Sequence, residues 1–287
     1  MNQPDVHGFF DQATFTVSYI VSDPQTRHAA IIDSVLDFDC ASGRTQTASA
    51  DTLIEHVQVN DLKIDWILET HIHADHLTAA PYVRDKLGGR VGIGENVVSV
   101  QDTFKDVFNQ KGLATDGRQF DELFADGGTF AIGNIEGRVL CTPGHTPACV
   151  TYVIGDATFV GDTLFMPDFG TARTDFPGGS AGGLYDSIQK IFALPDNTRL
   201  FMCHDYKAPG RDYYAWETSV AEQRANNIHI NQNVSRDDFI KLREERDSNL
   251  NMPKLILPSI QVNVRAGELP AAEDNDVRYL KIPLNAL

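Results

Sequence analysis

The 287-residue chain is poor in cysteine: Cys40, Cys141, Cys149 and Cys203 lie far apart, with no CxxC pair among them. So few in a chain this long argues against a disulfide framework, and most are expected to be buried small hydrophobes in a reducing compartment. Apolar runs long enough to span a bilayer are missing too. The first residues, "MNQPDVHGFFDQ", have neither the basic start and apolar stretch of a secretory signal nor the Arg-rich, acid-poor make-up of a transit peptide. A cytoplasmic protein with no membrane partner is the expectation. Positive charge is scarce: 24 Lys and Arg stand against 40 Asp and Glu, a formal net charge of −16. Nucleic acid and anionic membranes both require basic surface, so neither is expected as a partner. An anionic small substrate would need a local basic pocket set against this field. Internal repeats and low-complexity segments are also absent.

What is present is a 42% hydrophobic composition, enough to bury a full core. "TFTVSYIV" and "HAAIID" read as a strand pair joined by the turn "SDPQTR". "DCASGRTQTASAD" reads as a loop ending at Asp51, an N-cap for the helical run "TLIEHVQV". The strand "KIDWILET" follows, then helix "TAAPYVRDKLG" and strand "VGIG". "GTFAIGNIEGRVLCT" and "VTYVIGDATFVGDT" each read as two strands with a tight turn. "LYDSIQKIF" is amphipathic and "TRLFMCH" a strand. "WETSVAEQRANNIHI" and "SRDDFIKLREERDS" read as helices, and the tail from "PKLILPSIQVNVRAGELP" as irregular. This layout predicts an α/β fold, an αββα sandwich of two mixed sheets with helices outside. Residues 1–287 are expected to form one domain, with a helical and irregular extension from about residue 206.

The densest chemistry is "THIHADH", Thr70 to His76, three imidazoles and a carboxylate at the end of a strand. In α/β sheets, sites tend to be built at such strand ends. Three further segments place a candidate ligand after a strand: His145 in "TPGHTP", Asp162 in "FVGDTLF" and His204 in "FMCHDY". A lone histidine on an apolar strand is usually a satisfied core residue; four such places, each in a turn, point instead to a metal. Imidazole and carboxylate suit Zn, Fe or Mn. His71 and His73 share a face if the strand continues, and Asp75 and His76 lie in the turn that leaves it. One loop can thus serve two neighbouring positions. A structural site would be closed by four ligands, so the excess points to catalysis, by two metals or by one with a hydrogen-bonded outer shell.

The ordered set HxHxDH, "TPGHT", "GDTLF" and "HDY" resembles the metallo-β-lactamase superfamily, whose fold is the αββα sandwich. Superfamily alone does not fix the reaction. "GTARTDFPGGSAGGLYDSI", "CHDYKAPGRDYYAWETSVAEQRANN", "SIQVNVRAGELP" and "DSVLDFDCASGRTQTASAD" resemble the persulfide dioxygenase family, in its bacterial branch, over nearly the whole chain from about Thr14. That resemblance implies one Fe(II) per chain held by His71, His145 and Asp162. His73, Asp75, His76 and His204 would then orient and tune from around it. It implies oxidation of glutathione persulfide with O₂ and water to sulfite and glutathione, in a homodimer or larger homo-oligomer. Arg173, Lys207 and Arg211 are candidates for holding the anionic glutathione, each equally readable as a surface or ion-paired residue. Tyr206 is placed to reach the site or to pack beside it. Cys141 and Cys149 are expected to pack, and Cys203 to turn into the core rather than towards the metal. The alternative is a dinuclear zinc thioester hydrolase of the glyoxalase II kind, which all seven ligand candidates also permit. A binding protein that keeps the site for structure alone is a third reading, disfavoured by the complete ligand set.

Overall fold

The computed structural model describes residues 3–285. The chain begins with β1 (Asp5–Asp11), β2 (Thr16–Ser22) and β3 (His28–Ile32), then a hairpin of β4 (Val35–Asp39) and β5 (Arg44–Gln46). α1 (Ala48–Val59), β6 (Lys63–Leu68), β7 (Leu77–Thr78), α2 (Ala80–Leu87), β8 (Arg90–Gly94), α3 (Val97–Val107) and β9 (Glu122–Phe124) follow. The second half holds β10 (Thr129–Ile132), β11 (Ile135–Cys141), β12 (Val150–Ile154), β13 (Ala157–Phe159) and a single 3-10 turn at Gly161–Thr163. It closes with α4 (Ala181–Phe192), β14 (Arg199–Phe201), β15 (Glu217–Ser219), α5 (Val220–Asn226), α6 (Arg236–Asp247) and α7 (Ile256–Asn263).

Two six-stranded sheets form the centre, in the orders β1-β2-β3-β6-β8-β9 and β10-β11-β12-β13-β14-β15. The period-2 alternation of each strand sends side chains into two different layers. In β2, Val17, Tyr19 and Val21 enter the core between the sheets, while Ile20 joins the layer under α1, α2, α3 and α7. β3 divides its residues the same way, Ala30 and Ile32 inward and Ala29 and Ile31 outward. The outer face of the second sheet packs Leu200 and Met202 against Leu184, Ile188 and Ile191 of α4 and Phe239 of α6. Three apolar layers between four structural layers are the expected αββα sandwich. Both faces of the central strands are covered, which is why β2 and β3 read as nearly continuous apolar runs.

Several local expectations are corrected. The segment read as a loop at residues 39–51 contains the turn between β4 and β5, β5 itself and the first turn of α1, which starts at Ala48 rather than after Asp51. Thr47 Oγ1 donates to Asp51 Oδ2 (2.8 Å), so Asp51 serves inside the first turn. Glu217–Ser219, "ETS", forms β15 at the edge of the second sheet, and the helix after it is only seven residues long. Ser219 and Ser235 cap α5 and α6 by accepting backbone N–H groups. The tail contains α7, whose Pro258 lies in the first turn, where no intrahelical N–H is required.

Candidate metal centre

The donors converge where strand ends of both sheets meet. β6 runs out at Leu68 into the irregular segment Glu69–His76. Asp33, just past β3, holds that segment's first turn. Its Oδ1 accepts Thr70 N–H (2.8 Å) and its Oδ2 accepts Thr70 Oγ1–H (2.8 Å). Asp33 adopts φ +52°, an uncommon conformation for a residue with a side chain, tolerated here by these bonds. Gly161 sits opposite at φ +52°, and a Cβ there would lie 2.6 Å from Thr70 Oγ1. The "GDT" turn that carries Asp162 therefore requires glycine.

Each histidine has one nitrogen engaged by a supporting group and the other left facing the centre. His145 Nδ1 is 2.8 Å from the Arg173 carbonyl, which makes it the N–H donor and frees Nε2. His204 Nδ1 is 3.2 Å from the Phe15 carbonyl. His71 Nδ1 lies 3.0 Å from Thr70 Oγ1, His76 Nδ1 3.3 Å from Thr16 Oγ1, and His73 Nε2 2.9 Å from Asp33 Oδ1. The opposite nitrogens of His71, His73, His76 and His204 are buried without a hydrogen-bond partner among the described residues, as are Asp75 Oδ2 and Asp162 Oδ1. Buried polar atoms are almost always satisfied. This many orphans pointing at one another, each on a ring oriented from behind, fits a metal site.

Two groups of donors share this floor. His71, His145 and Asp162 form one, and His73, Asp75, His76 and His204 the other. Asp162 faces both: Oδ2 is 3.9 Å from His71 Nε2 and 3.8 Å from His145 Nε2, while Oδ1 is 3.4 Å from His204 Nε2. Asp75 Oδ2 lies 3.1 Å from His204 Nε2. Burial pushes the His71 and His76 rings below their usual range, towards the neutral form that ligates metals. Burial opposes ionisation of Asp75, but His204 and His76 outweigh it and hold its carboxyl well below the carboxylate range. His73 differs: burial disfavours its charged form, yet Asp33 and Glu69 overcome this and hold it well above the usual value.

A cavity of about 890 Å³ opens onto the floor, lined by Asp75, His145, Asp162, Phe165, Phe169 and Tyr206 among others. Tyr206 stacks on the His204 ring with centroids 5.8 Å apart and covers part of the wall. The expected basic residues are placed differently. Arg173 lines the cavity, but its Nε and Nη2 donate to Asp175 (2.5 and 2.6 Å) and its Nη1 to the Asn251 carbonyl (2.7 Å). Arg211 is held by Asp168 and Asp205, and Lys207 sits over the Tyr214 ring; neither lines the cavity. The free cations on the wall are Arg246 and Lys254, both exposed and without an ion pair among the described residues. Sequence reasoning missed them because only folding brings the end of α6 and the start of the tail to this wall.

The cysteines need two corrections. Cys40 is exposed and lines the cavity mouth. Cys203 is buried, as expected, but its thiol donates to Asp33 Oδ2 (3.6 Å), within 4.8 Å of donor atoms of Asp162 and His204.

A two-sheet sandwich carrying a histidine and carboxylate floor at its strand ends defines a metal-binding αββα protein. The chain belongs to the metallo-beta-lactamase superfamily, whose family model matches residues 14–204. It is 54% identical to a probable metallo-hydrolase of Burkholderia pseudomallei, covering 98% of this chain and 99% of that protein. It is 50% identical to glyoxylase B2 of Dictyostelium discoideum over all of this chain and 99% of the other. Mouse mitochondrial persulfide dioxygenase ETHE1 is 31% identical over 90% of this chain and 87% of its own length. The crystal structure of ETHE1 from Myxococcus xanthus aligns with a TM-score of 0.74 at 31% identity, covering 92% of this chain and 100% of that one. The chain spans 65% of the length of a beta-lactamase hydrolase-like protein from Xylella fastidiosa, which it matches at 53% identity. No helix among the described residues is long and apolar enough to cross a membrane.

Proposed function

We propose that this protein is a metal-dependent hydrolase that adds water to the carbonyl carbon of a thioester of a small anionic thiol of the glutathione class, breaking the C–S bond and releasing the carboxylic acid and the thiol. The carrying observation is the Asp162 carboxylate, whose two oxygens face two separate groups of otherwise unpartnered donors. His71 and His145 would hold one ion, Asp75, His76 and His204 a second, and Asp162 would bridge. Ions held there supply Lewis-acid polarisation and a water of lowered pKa. The names of the relatives at 50–54% identity support hydrolysis. The cavity suits a tripeptide thiol: Phe165, Phe169 and Tyr206 offer an apolar wall, and Arg246 and Lys254 offer charge for its carboxylates. The thioester carbonyl would then lie against the donor floor, beside His145 and Asp162.

The second reading, persulfide oxidation with O₂ at one iron on His71, His145 and Asp162, has its own support. Those three donors form a complete facial set, His73 is held by Asp33 rather than left as a neutral ring, and the ETHE1 relatives align over nine-tenths of the chain. Anaerobic purification with metal quantification, followed by two assays, separates the readings. Two ions per chain with cleavage of a glutathione thioester and no oxygen uptake is the expected result. One iron with oxygen consumption on glutathione persulfide would replace the first reading by the second. Activity in neither assay overturns both. His76→Ala adds an independent arm: it abolishes thioester cleavage under the first reading and spares the iron under the second.

A further inference from the structure

A single side chain from the far end of the sequence ties down the segment that carries four of the seven candidate donors. Asn263, the last residue of α7, is 2% exposed. Its Nδ2 donates to the backbone carbonyls of His73 (2.9 Å) and His76 (2.8 Å), and its Oδ1 accepts the Thr78 N–H (2.9 Å). Both amide hydrogens are used, so one rigid planar group sets the direction of two peptide carbonyls. Fixing those peptide planes fixes the Cα–Cβ directions of His73 and His76. These are two of the rings whose free nitrogens face the centre, grouped with Asp75 and His204. The amide makes no bond to His71, His145 or Asp162.

α7 is docked by other means. Ile256, Ile260 and Val264 lie in the outer core, Gln101 Nε2 donates to the Val264 carbonyl (2.9 Å), and Gln261 exchanges two hydrogen bonds with the Lys281 backbone (2.9 and 2.8 Å). The Asn263 amide is thus not needed to hold the helix in place.

We infer that Asn263 is a positioning residue for the half of the metal centre formed by Asp75, His76 and His204, acting through the carbonyls of His73 and His76 on either side of Asp75. The inference rests on the metal-binding reading above. Apo-protein is titrated anaerobically with Co(II) by calorimetry for the wild type, Asn263→Ala, Asn263→Asp and Gln261→Ala, with circular dichroism and thermal melts of each. Asn263→Asp keeps the shape and the Oδ1 acceptor but replaces the donating –NH₂ with a carboxylate oxygen that faces the His73 and His76 carbonyls, so Asn263→Ala, which adds no charge, is the reference variant. Both Asn263 variants are expected to keep the wild-type fold and to lose about 10–100-fold in affinity at the weakest step the wild type shows, the loss typical of an outer-shell partner. Gln261→Ala, which loosens the same helix without touching the donor segment, is expected to melt earlier and to bind Co(II) as the wild type does. Asn263 variants with wild-type affinity overturn the inference, as does an equal loss of affinity in Gln261→Ala. A wild-type chain that binds no Co(II) overturns the metal reading itself, and this inference with it.

Discussion

Replacing Asp247 with alanine is expected to destabilise the protein by about 4 kcal/mol, a magnitude set by a buried charge left without its partner. Arg243 is 2% exposed, one of the largest fully enclosed side chains in the molecule. Its Nη2 donates to Asp247 Oδ1, one turn on along α6, and its Nη1 to the Thr171 carbonyl (3.0 Å). Asp247 Oδ2 also accepts the backbone N–H (2.8 Å) and hydroxyl (3.0 Å) of Thr174. Asp247→Ala removes the counter-charge and two acceptors together. Breaking a buried pair from one side costs about 3–5 kcal/mol, and each stranded buried donor about 1–3 kcal/mol, with overlap between the two. Arg243→Met combined with Asp247→Leu should recover most of the loss, because well-packed apolar residues often replace a buried pair without penalty. Urea unfolding reads both through the shift of the midpoint at unchanged slope. A loss below about 1 kcal/mol in the single variant would refute the reasoning, since that is what an exposed pair contributes. The site feels this network as well. Thr174 follows Arg173, whose carbonyl accepts the His145 N–H, so loosening the segment is expected to lower activity in any variant that still folds.

The remaining predictions concern charge and access. Arg246→Ala and Lys254→Ala should each raise KM for a carboxylate-bearing thiol substrate by about tenfold with little change in kcat, as loss of one charge-assisted contact implies; Lys207→Ala should leave both unchanged. His229 is pushed down to about 4, by burial first and then by Arg243 and Arg246. The unfolded chain therefore binds this proton before the folded one, and stability falls as pH drops from about 6.5 to about 4, at no more than about 1.4 kcal/mol per pH unit from this group. Urea midpoints for the wild type and His229→Gln across that window test this, and identical pH profiles would refute it. Burial pushes the Cys149 thiol up to about 12 and raises Cys203 well above its usual range, whereas Cys40 is exposed. Mass spectrometry after brief iodoacetamide treatment at pH 8 should show alkylation at Cys40 and none at Cys149 or Cys203 until urea is added.

The sequence by itself determined the layers and the donors. Period-2 alternation in "TFTVSYIV" and "HAAIID" dictates which side chains enter the core between sheets, and the structure follows it. The residue types in "THIHADH", "TPGHT", "GDTLF" and "HDY" dictate an oxygen and nitrogen metal floor, because imidazole and carboxylate at strand ends have few other uses in such numbers. What the sequence left open was everything set by groups distant along the chain. Arg173 and Arg211 carry the charge expected of substrate ligands, but their neighbours Asp175, Asp168 and Asp205 take up their donors. The cations left over, Arg246 and Lys254, reach the cavity only because α6 and the tail fold back over it. α7 was hidden by Pro258 and by a polar tail around it, yet its Asn263 binds the donor segment 190 residues away in the chain. Local pattern fixes which face of an element is apolar and which residue can ligate. Only tertiary packing decides which nitrogen of each ring is already bonded, which charge is already paired, and therefore which groups remain free to act.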